Sequence, residues 1–190
     1  MRYLIAFGGN LPVLGKSVGG NLQSAVAELE RNAGRIIARS GVYRSPAFPP
    51  GAGPDYRNGA LMLDSSLDAA DLLAEMHKTE ASHGRVRRER WGARSVDLDL
   101  IAAGSIVTPD RATWIRWYEL PPERQTAERP ESLILPHPRL QDRSFVLVPL
   151  MEIAPEWRHP VLGRTVAEMH ADLTEEDRRS VVLLGDPGCQ

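Results

Sequence analysis

Residues 95–103 read SVDLDLIAA. Alternation passes into a continuous apolar run, which predicts a β-strand. Side chains on a strand alternate between faces, so Leu98 and Leu100 point into a core and Asp97 and Asp99 point together the other way. Their Cα atoms are then about 6.6 Å apart. Two like charges so close repel, and burial raises the pKa of each. Two readings fit. The acids lie on the wet face that antiparallel sheets often keep, or they hold a divalent cation. Mg²⁺ is commonly held by one or two carboxylates together with substrate phosphates.

Just upstream, residues 84–94 read GRVRRERWGAR. Arg85, Arg87, Arg88, Arg90 and Arg94 are opposed only by Glu89. This is either a surface salt-bridge network, worth little, or a phosphate-binding loop, since guanidinium captures phosphate oxygens in planar, bidentate fashion. Gly84 and Gly92 bracket the segment. Arginines for the oxygens and aspartates for the metal suit a polyphosphate with its magnesium.

Farther out, residues 3–7, YLIAF, predict a buried strand ending at Gly8-Gly9. Leu22, Ala25, Val26 and Leu29 form a helical stripe, with Asn21 as the expected N-cap and Gly34 as the stop. Residues 35–44, RIIARSGVYR, predict one strand. Residues 45–56, SPAFPPGAGPDY, predict a loop. Residues 58–64 predict another strand. Ala69, Leu72, Leu73 and Met76 mark a second helix ending near Gly84. The order is β-α-β-β-α-β, an α+β ferredoxin-like core with an antiparallel sheet and both helices on one face, plus C-terminal additions.

Beyond Gly104 the texture changes. Residues 108–132 mix prolines, charges and two tryptophans. They are either a surface excursion anchored by Trp114 and Trp117 or a mobile lid; long insertions cost little loop entropy. FVLVPL, residues 145–150, is an apolar strand or the start of a buried helix. Val166, Met169, His170 and Leu173 suggest a short helix, after which residues 174–190 read as a frayed, flexible tail.

The chain has 190 residues, consistent with one domain over 1–190. Its net charge of −2 argues against a nucleic-acid coat or an anionic-membrane protein. Cys189 is the single cysteine, so neither an internal disulfide nor a cysteine zinc site is available. No stretch approaches a membrane span or a signal peptide, and a cytoplasmic protein is expected.

The segment Arg90-Trp91-Gly92-Ala93-Arg94-Ser95-Val96-Asp97-Leu98-Asp99-Leu100-Ile101 resembles the signature of the 6-hydroxymethyl-7,8-dihydropterin pyrophosphokinases. These folate-pathway enzymes move a pyrophosphoryl group from ATP to a pterin alcohol and release AMP. Other segments agree in order: Phe7-Gly8-Gly9-Asn10-Leu11; Tyr43-Arg44-Ser45-Pro46 with Pro54-Asp55-Tyr56-Arg57-Asn58; Leu135-Pro136-His137-Pro138-Arg139; Asp142-Arg143-Ser144-Phe145-Val146-Leu147; and Pro149 to Pro155. The resemblance runs to about residue 165 and leaves out 108–132.

The resemblance implies that Asp97 and Asp99 bind two Mg²⁺ ions bridging the ATP phosphates. It implies that Arg85 and Arg94 stabilise charge and close the site, with Arg87 close by and Trp91 covering it. Glu80, His137 and Arg143 would serve the ATP side. Ser45, Pro46, Phe48, Tyr56, Asn58 and Phe145 would form the pterin site, Tyr56 and Phe145 by stacking and Ser45 and Asn58 by reading the edge. No general base is assigned. A monomer acting on ATP and the pterin is expected, with no nucleic-acid or membrane partner and no second folate enzyme fused to it. Three departures stand out. Gly9 replaces a serine and removes a side chain near the pterin pocket. Pro138 replaces an aromatic, and His77 replaces an amide or acid. Two other enzyme readings, a two-metal nucleotidyltransferase or nuclease and a catalytically dead nucleotide binder, fit less of the chain.

Overall fold

The computed structural model describes residues 1–13, 15–47, 53–85, 94–121, 124, 128 and 130–185. Six strands and six α-helices are found among them: β1 Arg2–Gly9, α1 Val18–Ala33, β2 Arg35–Arg39, β3 Val42–Ser45, β4 Tyr56–Asp64, α2 Ala69–Ser82, β5 Asp97–Ala103, α3 Arg111–Tyr118, α4 Ser144–Ile153, α5 Val166–Ala171, α6 Glu175–Ser180 and β6 Val182–Gly185. The sheet runs β5-β1-β4-β3-β6, with β2 also on β4, and every pairing is antiparallel. The central four-strand order is that of the expected ferredoxin-like core.

Strand alternation gives the sheet two apolar faces. Tyr3, Ile5, Phe7, Leu61, Leu63, Leu98 and Leu100 pack against Leu22, Ala25, Val26 and Leu29 of α1 and Leu72 and Met76 of α2. The opposite face, Leu4, Ala6, Ala60 and Ile101, is covered by Val146, Leu147 and Leu150 of α4 and Val166 and Met169 of α5. Fully burying a side chain of this size contributes about 1.5–3 kcal/mol. Among the described residues no helix is long and apolar enough to cross a membrane.

Three local readings are corrected, and the open choice for FVLVPL falls to the helix. Ser17, not Asn21, caps α1: its Oγ accepts from the Gly20 amide at 3.1 Å, satisfying one orphan donor. Asn21 lies wholly buried within the helix. The single strand expected over 35–44 is two strands. Ser40 carries the break, keeping contact with β4 through Ser40 N–H to the Ala60 carbonyl and Ala60 N–H to Ser40 Oγ, both 2.9 Å. FVLVPL belongs to α4, with Pro149 inside that helix. The expected frayed tail from 174 instead begins with α6, capped by Thr174, and β6, which pairs with β3. β3 offers an open edge there, and Val181-Val182-Leu183-Leu184 supplies an extended-chain former for it.

The excursion that begins at 108 is closed at its base by Thr108 and Leu135, which exchange backbone hydrogen bonds of 3.0 and 3.1 Å. Trp114 of α3 is completely buried and donates its Nε1–H to the Pro136 carbonyl at 2.7 Å. Trp114 is therefore an anchor, whereas Trp117 is only half-buried.

Candidate active site

Four strands bring the acid end and the pterin end of the expected site into one row. Asp97 on β5 pairs with Gly8 on β1, Gly8 with Asn58 on β4, and Asn58 with Tyr43 on β3. Cross-strand partners share a face, and this is the face on which α4 packs. Neighbouring strands are about 4.8 Å apart, so the Asp97 and Asn58 backbones are about 10 Å apart. Asp99 flanks the row on one side, Tyr56 and its partner Ser45 on the other.

Two glycines make this row possible. A Cβ on Gly8 would stand 2.3 Å from Asn58 Oδ1, so only glycine lets the carboxamide lie over β1. A Cβ on Gly9 would meet the Ser95 carbonyl at 2.6 Å. The side chain missing at Gly9 is therefore not a loss from the pterin pocket; its absence permits close approach of the chain that leads into β5.

The carboxylates are not on a freely solvated face. Asp97 forms ion pairs with Arg85, at 2.6 Å, and with Arg94. Asp99 is more exposed, with Arg143 at 3.4 Å. Burial, reinforced by neighbouring Asp99, pushes the Asp97 carboxyl above its ordinary pKa against the pull of Arg94 and Arg85. Glu80, 1 % exposed, accepts from the Leu98 amide at 2.8 Å and pairs with Arg85. It thereby fixes both β5 and an arginine.

Among the described residues no hydrogen-bond donor is aimed at the buried Asp97 Oδ1, despite the nearby Arg85 charge. A carboxylate oxygen in that condition, with Asp99 on the same face, suits a hard cation. Among the described residues no group of three or more His, Cys, Asp or Glu side chains converges. The protein would supply two carboxylates and leave the other positions to phosphate and water, the pattern typical of Mg²⁺.

His137 donates its backbone N–H to the Ile101 carbonyl at 2.8 Å, and its Nδ1 accepts from the Arg139 amide at 3.0 Å. The ring proton is thereby placed on Nε2. Burial, helped by Arg143, holds its pKa well below the ordinary value. His137 is therefore a neutral N–H donor near neutral pH.

At the other end, Asn58 Nδ2 donates to Ser45 Oγ at 2.7 Å, and both residues are buried. Tyr56 is half-buried, its hydroxyl pKa raised by burial and by Asp97 against the opposing pull of Arg94 and Arg85. Phe145 projects from α4, with the Arg143 guanidinium 5.7 Å from its ring centre. Pro46 is exposed beside them. Phe48, Arg87 and Trp91 lie outside the described residues. His77 is exposed on α2, unlike buried Glu80 three residues on.

Asn10 and Glu152 were not among the expected site residues. Asn10 Oδ1 accepts from the Arg94 amide at 2.8 Å, and its Nδ2 donates to the Pro54 carbonyl at 3.0 Å, joining the two ends of the site. Glu152 of α4 accepts from the Gly41 amide at 2.8 Å and from the Tyr43 hydroxyl, fastening β3 from below. Their sequence signal was slight: polar residues beside motif positions, with long-range partners.

A family model described as 7,8-dihydro-6-hydroxymethylpterin-pyrophosphokinase matches residues 4–155. A 2-amino-4-hydroxy-6-hydroxymethyldihydropteridine pyrophosphokinase of Synechocystis is 41 % identical over 168 residues, covering 87 % of this chain and 73 % of its own. The protein of the same name from Methylorubrum extorquens is 35 % identical over 164 residues, covering 84 % of this chain and 90 % of its own. In fold, the chain superposes on wild-type Plasmodium falciparum HPPK-DHPS with a TM-score of 0.61 at 13 % identity, covering 90 % of this chain. It spans 44 % of that longer chain. The match over residues 4–155 and the identities to these two relatives place the protein in one family: the chain belongs to the 7,8-dihydro-6-hydroxymethylpterin-pyrophosphokinases.

Proposed function

We infer that the protein transfers pyrophosphate from ATP to the hydroxymethyl oxygen of 6-hydroxymethyl-7,8-dihydropterin and releases AMP, a step of folate biosynthesis. The observation that carries this reading is the single row that sets Asp97, with its arginines, beside Asn58 and Ser45 across Gly8. Its span suits a triphosphate at one end and a flat heterocycle at the other.

Arg85, Arg94 and Arg143 would take up phosphate oxygens, and Asp97 and Asp99 would hold two Mg²⁺ ions. Held by those two carboxylates, magnesium would supply electrostatic stabilisation of the charge that builds on the leaving AMP. Tyr56 and Phe145 would sandwich the pterin, with Asn58 and Ser45 reading its edge. The alcohol oxygen then attacks the β-phosphorus. The bond from that phosphorus to the oxygen bridging it to the α-phosphate breaks, and the alcohol proton goes to solvent. His137, with its proton on Nε2 and its Nδ1 engaged, would donate to the nucleotide and not accept that proton. Positioning and charge stabilisation do most of the work in such transfers. The chain would act in the cytoplasm as a monomer.

The test is to mix protein, Mg²⁺, ATP and the reduced hydroxymethylpterin and to identify the nucleotide product. AMP that forms only when pterin is present supports the reading; ADP, or no turnover, contradicts it.

A further inference from the structure

The segment that carries Arg85 and Arg94 leaves α2 at His83 and rejoins the sheet at Ser95. One side chain touches both ends. Asn21 Nδ2 donates to the His83 carbonyl at 3.4 Å and to the Ser95 carbonyl at 3.3 Å. Asn21 is 0 % exposed, and its Oδ1 has no hydrogen bond among the described residues.

Packing alone does not account for an amide there. Asn21 extends the buried stripe through Ala25 and Leu29, where an apolar residue would fill the space without leaving a buried oxygen unsatisfied. What the carboxamide adds is a fixed separation between the two chain ends. The far end is gripped on its other side as well: the Asn10 and Leu11 amides donate to the Arg94 carbonyl at 2.8 and 3.1 Å. The near end is set by Arg85 N–H donating to the Glu80 carbonyl at 3.1 Å. Asn21 joins these two anchored ends from beneath.

We propose that Asn21 is a positioning residue for the reaction: it closes the neck of the 84–94 segment, and so places Arg85 and Arg94 on either side of Asp97 for the triphosphate. The inference rests on the site assigned above. It also makes a specific division of effects. Ser45, Tyr56, Asn58 and Phe145 of the pterin end stand on β3, β4 and α4, and Asn10 ties that end to the far side of the neck.

Two variants test it in the full chain. Asn21→Leu keeps packing and removes both donors; Asn21→Asp keeps the shape but turns an oxygen toward two carbonyls. The readouts are thermal midpoint, affinity for a non-hydrolysable ATP analogue with Mg²⁺, affinity for the pterin, kcat, and the rate of tryptic cleavage after Arg87 and Arg88. Losing the two bonds is expected to weaken nucleotide affinity and lower kcat, each by about tenfold. Pterin affinity should stay within about twofold. Tryptic cleavage should quicken. Because cleavage is read without turnover, an inactive wild type would count against the assigned function and leave this test standing. Should Asn21→Leu fail to fold, Asn21→Ala carries the same readouts. The proposal is overturned by a folded variant with unchanged nucleotide affinity and kcat, whatever its thermal midpoint, or by equal losses of nucleotide and pterin affinity.

Discussion

Asn58 and Asp97 stand on opposite sides of the same residue: each is the cross-strand partner of Gly8, so the amide proposed to read the pterin and the acid proposed to hold the metal are two strand spacings apart on one sheet face. The sheet itself therefore sets the distance between the two ends of the proposed site.

Gly8→Ala should break this arrangement at the pterin end. The added Cβ would lie 2.3 Å from Asn58 Oδ1 and push the carboxamide away from Ser45. Loss of that hydrogen-bonding geometry should weaken pterin affinity by about tenfold. Nucleotide affinity should hold. Fluorescence titration with the pterin reads the outcome, and unchanged affinity would mean that Asn58 does not read the pterin.

Asp97→Asn should cost roughly 10²–10³-fold in rate, the scale for removing an electrostatic contributor in a desolvated site. The fold should persist, because neutralising a buried carboxylate removes a desolvation cost. In the wild type, Arg85, Arg94 and Arg143 already neutralise the acids. Mn²⁺ alone should accordingly bind far more weakly than Mn²⁺ with ATP. Electron paramagnetic resonance of Mn²⁺ checks both statements, and tight nucleotide-independent binding to the variant would remove Asp97 from the metal site.

Trp114→Phe strands the Pro136 carbonyl that the indole satisfied. An unsatisfied buried acceptor costs about 1–3 kcal/mol, measurable by urea unfolding. Trp117→Ala, at a half-buried position, should be milder and leave turnover intact. A loss of turnover in folded Trp117→Ala would draw the excursion into the active site.

His159 is fully buried between Trp114 and Trp157, at ring distances of 4.9 and 5.7 Å. Burial lowers its pKa from 6.5 to about 4. As pH falls through 6.5 the unfolded chain gains a proton that the native ring refuses until about pH 4, so stability falls across that window. His159→Gln should flatten the fall in thermal midpoint between those pH values. An unchanged slope would place the acid sensitivity elsewhere.

Much of this was legible one residue at a time. The D-x-D strand, the stripe of α1 and the stripe of α2 are local periodicities, and local periodicity survives in a linear string. Asn21 was misread for the same reason. As a polar residue before an apolar run it resembles a cap, and only the position of Ser17 and the two distant carbonyls reveal a buried tie. The break at Ser40 was invisible because both halves have strand composition, and it is the shared partner β4 that separates them. The tail looked frayed because its charges are local, whereas the open edge of β3 that captures Val182–Gly185 lies more than a hundred residues away.

The sequence by itself determined the order of the core elements and the sheet face that α1 and α2 cover, and it proposed the chemistry of the site: acids for a cation, arginines for phosphate, aromatic rings for a flat ligand. Side-chain type and spacing carry that information. Tertiary structure alone decided that Gly8 must be bare, that Asn10 and Asn21 grip the arginine segment, and that the acid and pterin ends share one row. Those facts depend on which strands become neighbours, and that is set by closing the sheet, not by any stretch read alone.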